Sequence, residues 1–185
     1  METMIAVAEQ PAFPNQASDA ELAANGDVQA FERLYRGHVD RIHTLVRRML
    51  GDDLADEVTQ DGFVRAWQKL GTFRGDAAFG TWLHRVAIKV VLGRRRKLAI
   101  HRERFLADAT LTLEMMSGRD RTGTTGPEFE AGLRNLPPGA RQVFVLHDME
   151  GFKHREIAKL LGVTTGTSKA QLHRARMVMR TFVSR

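Results

Sequence analysis

Two groups of side chains in the last third of this 185-residue chain are of types that do chemistry. His147, Asp148, Glu150, His154 and Glu156 fall within ten residues and are the donor types of a metal hydrolase. Their spacing argues against it. They straddle a helix end, the turn at Gly151 and a helix start, with no histidine pair four residues apart. His147 and Asp148 read as helix-terminal surface groups, and Glu156 as a first-turn acid favoured by the helix dipole. The second group is cationic. Lys169, His173, Arg174, Arg176 and Arg180 lie on one side of a segment whose other side is apolar. Such a face pairs with phosphates and reaches base edges, and Gln171 beside it is an amide of the kind that reads adenine. The run GVTTGTSK (162–169) lacks the Gly-Lys-Ser/Thr of a phosphate loop and follows a helix, so it is not one.

The elements that hold this face can be read upstream of it. Leu172, Ala175, Met179 and Phe182 recur at i, i+3, i+7 and i+10, the buried stripe of a helix over Thr165–Arg180. Before it, Ile157 and Leu161 share a helical face, Ala158 is small enough to be crossed over, and Gly162 supplies the positive φ that ends a helix. Helix, tight turn and exposed basic helix make a helix-turn-helix, the shape that enters a DNA major groove.

The rest of the chain has the same period. Residues 1–17 carry no helical pattern and are expected to be a disordered tail. Ser18 with Glu21 forms a capping-box pattern that opens a short helix ending near Gly26. Asp27 caps a long one, with Val28, Phe31, Leu34, Tyr35, Val39, Ile42, Leu45, Val46 and Met49 repeating until Gly51 stops it. The next helix spans about Asp53 to Leu70, with Leu54, Val58, Gly62, Phe63, Ala66 and Trp67 inward. After the loop TFRGDAA (72–78) a fourth helix carries Phe79, Trp82, Leu83, Val86 and Val90 on one side and runs into Arg94, Arg95, Arg96 and Lys97. Past Leu98 the pattern decays into a Gly-, Thr- and charge-rich linker; short helices at Phe129–Leu136 and Ala140–Asp148 follow. No alternating pattern of useful length appears. The expected fold is all-α: two small helical domains, residues 18–97 and 128–185, joined by a flexible linker over 98–127, the C-terminal one a helix-turn-helix.

Charge agrees with a polyanionic partner. The formal net charge is +6, and it is unevenly placed. Residues 82–104 and 153–185 each carry eight Lys/Arg against one acid, whereas the remainder has 12 Lys/Arg and 20 Asp/Glu. Two basic surfaces on an otherwise acidic chain imply two contact sites. The chain has no cysteine, which excludes disulfides, cysteine zinc sites and thiol catalysis and fits a reducing cytoplasm. Its first residues lack a basic start and a long apolar run, and no stretch approaches the roughly 20 apolar residues of a membrane span. A cytoplasmic protein without membrane insertion is expected.

Three segments together carry a family resemblance: DEVTQDGFVRAW (56–67), FRGDAAFGTWLHRVA (73–87) and the C-terminal LPPGARQVF, EIAKLLGV and GTSKAQLHRAR. In this order they resemble bacterial RNA polymerase sigma factors of the small extracytoplasmic-function group, over about residues 19–97 and 128–182. The resemblance implies a factor that binds core RNA polymerase, through its clamp coiled coil and flap, and directs initiation from −35 and −10 promoter DNA. No cofactor, metal or catalytic residue is implied, and the factor is not itself an enzyme. An anti-sigma partner is usual in the group. On the matching positions, Asp56, Glu57, Gln60 and Asp61 would dock the polymerase. Phe73, Arg74 and Asp76 in the loop, with His84, Arg85 and Lys89 on the helix, would melt and read the −10 element. Arg94, Arg95, Arg96 and Lys97 would grip phosphates. Thr167, Lys169, Gln171, His173, Arg174 and Arg176 would contact the −35 element. Trp82, on the apolar stripe, is assigned to the core. Lys89 stands where many members have asparagine and Gly93 where an acid or amide is usual, while Ser168 replaces a β-branched apolar residue, so no promoter sequence carries over. The alternative is a stand-alone helix-turn-helix regulator, which would have a ligand-pocket domain in place of the N-terminal half.

Overall fold

The computed structural model describes residues 16–108 and 126–183, and the side chains of 16–98 and 126–182. Eight α-helices occur among the described residues, and no strand does. The long helix α2 (Val28–Leu50) begins where Asp27 accepts the Ala30 N–H at 3.0 Å, and ends at Gly51, whose N–H reaches the Arg47 carbonyl at 2.8 Å. Its buried stripe is Ala30, Leu34, Ile42, Leu45, Val46 and Met49, with His38 among them. Val28 and Tyr35 lie off that stripe and are 69% and 40% exposed, because the expected repeat is wider than the surface that covers it. Helix α1 (Gln16–Ala24) seats Ala20 and Ala23 on α2 and is tied to it by Asp19 and Arg33 at 2.6 Å. It includes Ser18 and Glu21 in its body, so the expected capping box does not form.

A short 3₁₀ turn (Asp52–Leu54) leads into α3 (Ala55–Lys69), which buries Val58, Thr59, Gly62, Phe63 and Ala66. Trp67 is not inward as expected. It lies 37% exposed, with its ring 4.8 Å from Phe31 in an edge contact. After a second 3₁₀ turn and the loop, α4 (Phe79–Asp108) packs Phe79, Leu83, Val86, Ala87, Ile88 and Val91 inward and continues past Lys97 to Asp108.

The C-terminal part has four helices, α5 (Pro127–Asn135), α6 (Pro138–Phe144), α7 (His154–Leu161) and α8 (Thr165–Val183). Prolines open α5 and α6, where the missing N–H is no loss. A π turn, Val145–Met149, extends α6. Gly162 has φ 68°, the left-handed value needed to end α7 and aim α8 across it. At Gly132 the crossing of α5 and α8 is so close that a Cβ would lie 3.0 Å from the Met179 sulfur. The two halves touch. Helix α2 meets α5 and α6, and α4 meets α7. Glu130 of α5, 6% exposed, accepts two hydrogen bonds from Arg48 of α2 at 3.0 and 2.8 Å, and Arg47 stands 3.6 Å from its other oxygen.

Candidate nucleic-acid interface

Helix α8 is anchored by Leu172, Ala175 and Met179, all buried, which leaves Thr167, Lys169, His173, Arg174 and Arg176 exposed. Its first turn is fixed twice. Thr164 Oγ1 accepts the Thr167 N–H at 3.0 Å, and Ser168, wholly buried, lies 3.0 Å from His154 Nδ1 at the start of α7. That pairing accounts for a hydroxyl at a position where an apolar residue is usual: the partner across the turn is an imidazole. Gln171 does not project outward with the cations. Its amide lies against Gly139, where a Cβ would come within 2.8 Å of Nε2, and its Oε1 is buried without a partner.

The acid–histidine cluster upstream is taken apart by the fold. Asp148 receives Arg176 on both oxygens, at 2.9 and 2.7 Å, and is 2.7 Å from His147 Nδ1. Burial pushes the Asp148 carboxyl up, but the Arg176 and His147 hydrogen bonds outweigh it and leave the group below its ordinary value. Glu156 accepts the Lys153 N–H at 2.9 Å and caps α7. Glu150 points away from both, into the other half of the molecule. Arg176 is therefore held by a carboxylate, whereas Lys169, His173 and Arg174 face solvent.

A second cationic surface lies between α3 and α4. A groove of about 550 Å³ there is lined by Arg65, Lys69, Trp82, Lys89, Arg94 and Lys97, with Val86 and Val90 on its floor. Trp82 packs on Phe73 and Phe79, each ring 5.6 Å away, yet keeps one side on the groove. The same indole borders a smaller hollow of about 160 Å³ formed with Phe73, Arg74, Asp76 and Arg85. It is thus both core and wall. Arg65 and Lys69 are missed by the sequence reading; their signal is a pair of cations at i, i+4 on α3, directly after its acidic turns. Arg85 and Lys89 are exposed, but His84 is 6% exposed and its Nδ1 is 3.0 Å from Glu150 Oε2. The four basic residues at 94–97 divide. Arg94 is bound to Glu57 at 2.6 and 2.8 Å, Arg95 and Arg96 border a hollow against Gly139, Leu160 and Gln171, and Lys97 stays on the groove.

Asp56, Glu57, Gln60 and Asp61 form an exposed strip on α3. Asp56 is 3.0 Å from His43, and Asp61 lies on the rim of the basic groove. The acidic strip and the cationic groove are therefore successive stretches of one helix, which gives this half a negative and a positive face.

The Sigma-70 region 2 family matches residues 34–99 and the Sigma-70 region 4 family residues 128–179. The ECF RNA polymerase sigma factor SigM of Mycobacterium tuberculosis is 35% identical over 167 residues, 88% of this chain and 83% of that protein. The chain belongs to the ECF sigma factors. A further relative is the RNA polymerase sigma-H factor of Pseudomonas aeruginosa, 32% identical over 171 residues, which cover 84% of this chain and 87% of the relative. The fold is shared with sigma factor RpoE of Bartonella quintana, solved with the anti-sigma factor NepR, at a TM-score of 0.59 and 19% identity over 85% of this chain and 98% of that one. It is shared also with CnrH, solved with the cytosolic domain of CnrY, at 0.51 and 24% over 92% and 97%. This sigma factor directs promoter-specific transcription initiation. A stand-alone regulator is not favoured, since the N-terminal half is itself a sigma region. No helix among the sigma factor's described residues is long and apolar enough to cross a membrane.

Proposed function

We propose that the two cationic surfaces of this sigma factor divide promoter recognition between them, and that the α3 strip joins it to core RNA polymerase. Lys169, His173 and Arg174 on α8 take duplex −35 DNA. The helix is anchored by its buried stripe, Thr164 fixes its first turn, and these side chains are exposed, which suits entry into a major groove. Arg176 joins them by exchanging Asp148 for a phosphate. Gln171, turned toward Gly139, contributes only if it leaves that packing.

The α3–α4 groove takes the displaced single strand of the −10 element. The observation that carries this assignment is the indole of Trp82, set between a groove with five cations and a loop hollow of about the size of one base. Opened DNA needs backbone cations and a stacking surface in register; base–aromatic stacking is worth about 1–3 kcal/mol per base. Arg65, Lys69, Lys89 and Lys97 supply the first, and Trp82 with Val86 and Val90 the second. Asp56, Glu57, Gln60 and Asp61 dock the clamp coiled coil, where an acidic strip gives orientation and fast association more than raw affinity. Partnership with an anti-sigma protein is supported by the relatives solved in such complexes.

Co-elution with sigma-free core polymerase, followed by run-off transcription from a library of promoter fragments, tests the reading. A stoichiometric complex that initiates at defined sites is the expected result. Failure to bind core, with DNA binding retained, would overturn it.

A further inference from the structure

The acid–histidine cluster upstream of α8 is not absorbed by the surfaces assigned above, and its geometry gives it a use. No three His, Asp or Glu among the described residues are placed to hold a metal ion. Instead His147, in the π turn, and His154, at the start of α7, stack with ring centroids 4.5 Å apart and planes 30° from parallel. Each ring is tied down at Nδ1. His147 Nδ1 is 2.7 Å from Asp148 Oδ1, and His154 Nδ1 is 3.0 Å from the buried Ser168 hydroxyl of α8. Asp148 is shared, since its oxygens also take Arg176 of α8 at 2.9 and 2.7 Å. A chain of contacts, Ser168–His154–His147–Asp148–Arg176, thus flanks the cationic side of the recognition helix. Among the described residues neither Nε2 of the stacked rings has a partner, so each keeps an edge for a phosphate oxygen.

Every link in this chain tolerates the gain of a proton. A hydroxyl donates to a neutral imidazole and accepts from a charged one, so Ser168 satisfies His154 Nδ1 in either state, as an apolar residue could not. Two charged rings in a stack repel, so the pair holds a single proton. The charged groups facing the pair are Lys169 and Arg176 from α8 and Asp148 from the π turn, whereas Glu156 of α7 is turned to the Lys153 N–H. Burial, and then the cations His147, Lys169 and Arg176, push His154 below its ordinary value, with Asp148 pulling the other way.

A DNA phosphate reverses that balance. It neutralises the cations that hold His154 down. By drawing Arg176 off Asp148 it also leaves a half-buried carboxylate in need of a new cation, which a proton on the rings supplies. We propose that His147 and His154 form a proton-linked phosphate site beside α8: duplex DNA is bound together with one proton, which the imidazole pair takes up as Arg176 leaves Asp148 for the backbone. The inference rests on the reading of α8 as the −35 helix. The complex holds more protons than its free parts, so affinity rises as pH falls and is lost as pH rises.

Phosphate contacts do not depend on sequence, so the full chain and a fluorescently labelled duplex of mixed sequence are sufficient. The His173→Asn background removes the exposed imidazole of α8, whose own titration would add to the signal. From pH 8 to pH 6 the affinity of that protein, by anisotropy, should rise on the order of tenfold. Calorimetry in two buffers of different ionisation heat should count close to one proton taken up on binding. His147→Phe and His154→Phe keep a ring in the stack but no titrating nitrogen, and each should flatten the pH response and lose the proton. Ser168→Val should do the same with both histidines in place, as a positioning residue requires. His147→Gln and His154→Gln serve should a phenylalanine variant fail to fold, with helix content by circular dichroism as the check. A pH response that persists in the histidine variants, or binding without proton uptake, would overturn the site and leave the −35 assignment standing. No duplex binding at either pH would overturn that assignment and the site with it.

Discussion

Glu150→Gln uncouples two titrations that oppose each other across the domain contact. In the folded molecule Glu150 sits at about 7 and His84 at about 4, against ordinary values of 4.5 and 6.5. The raised Glu150 favours the fold below 4.5 and loses that contribution as pH rises through about 7. The lowered His84 favours the fold above 6.5 and loses its contribution as pH falls toward about 4. Between these limits folded and unfolded forms hold the same number of protons on the pair, one on Glu150 when folded and one on His84 when unfolded. The pair should therefore move the native folding equilibrium only about twofold between pH 7.5 and pH 5, toward the fold. With glutamine at 150 only the His84 titration remains. Over the same range it raises the unfolded-to-folded ratio about thirtyfold, or ~2 kcal/mol, because the unfolded form protonates and the folded form does not. His84→Phe leaves Glu150 alone and should swing the other way, toward the fold, by about the same factor or somewhat more. His38, Arg41 and Arg48 are common to all three proteins and cancel in the comparison. Urea unfolding of the three proteins, read from pH 7.5 to pH 5, is the assay. A native pH dependence matching either variant's, or two variants displaced from it in the same direction, would refute the opposed titrations.

Four further outcomes follow from the same geometry. Lys169→Ala with Arg174→Ala should reduce promoter-directed transcription on the order of a hundredfold while co-elution with core polymerase is unchanged, since each removes a cation with no protein partner. Asp56→Arg with Asp61→Arg should do the reverse, abolishing co-elution and leaving binding to an isolated −35 duplex intact. Asp148→Ala should release Arg176 to a phosphate, tightening that duplex at low salt and steepening the salt dependence by about one counterion in a fluorescence anisotropy titration. Gly132→Val should lower stability by about 1–3 kcal/mol in urea unfolding, because its side chain would press on Met179 and Phe182.

Which residues were legible in sequence follows from the range over which each is decided. Helix ends are local: Asp27, Gly51 and Gly162 act through bonds to residues within four positions, and each stands at the boundary its type implies. Buried stripes are nearly as local, and the i, i+3, i+7 run of Leu172, Ala175 and Met179 is realised residue for residue. Errors begin where the width of the covering surface decides. Val28 and Trp67 keep the apolar period but sit past the edge of the neighbouring helix, so they stay exposed. Lys97 looked like a helix end because the apolar stripe stops there, yet α4 runs on to Asp108, with no glycine or proline between Arg94 and Asp108 to break it. The partners of the cations were not legible at all. Arg48 meets Glu130 at a separation of 82 residues, Arg94 meets Glu57 at 37 and Arg176 meets Asp148 at 28. Only the fold brings such pairs together.

Those pairs change what net charge means for this sigma factor. A formal +6 counts Arg48, Arg94 and Arg176 as available to DNA, but each is already held by a carboxylate. At Arg94 and Arg176, whose pairs are partly exposed, DNA must replace that partner, and the gain is the difference between two ion pairs, which lies within about 1 kcal/mol. The exchange also links sites that no direct contact joins. Freeing Arg94 for a phosphate releases Glu57 on the strip proposed to dock polymerase. Promoter binding at the groove would then favour polymerase docking, with Glu57 as the intermediate.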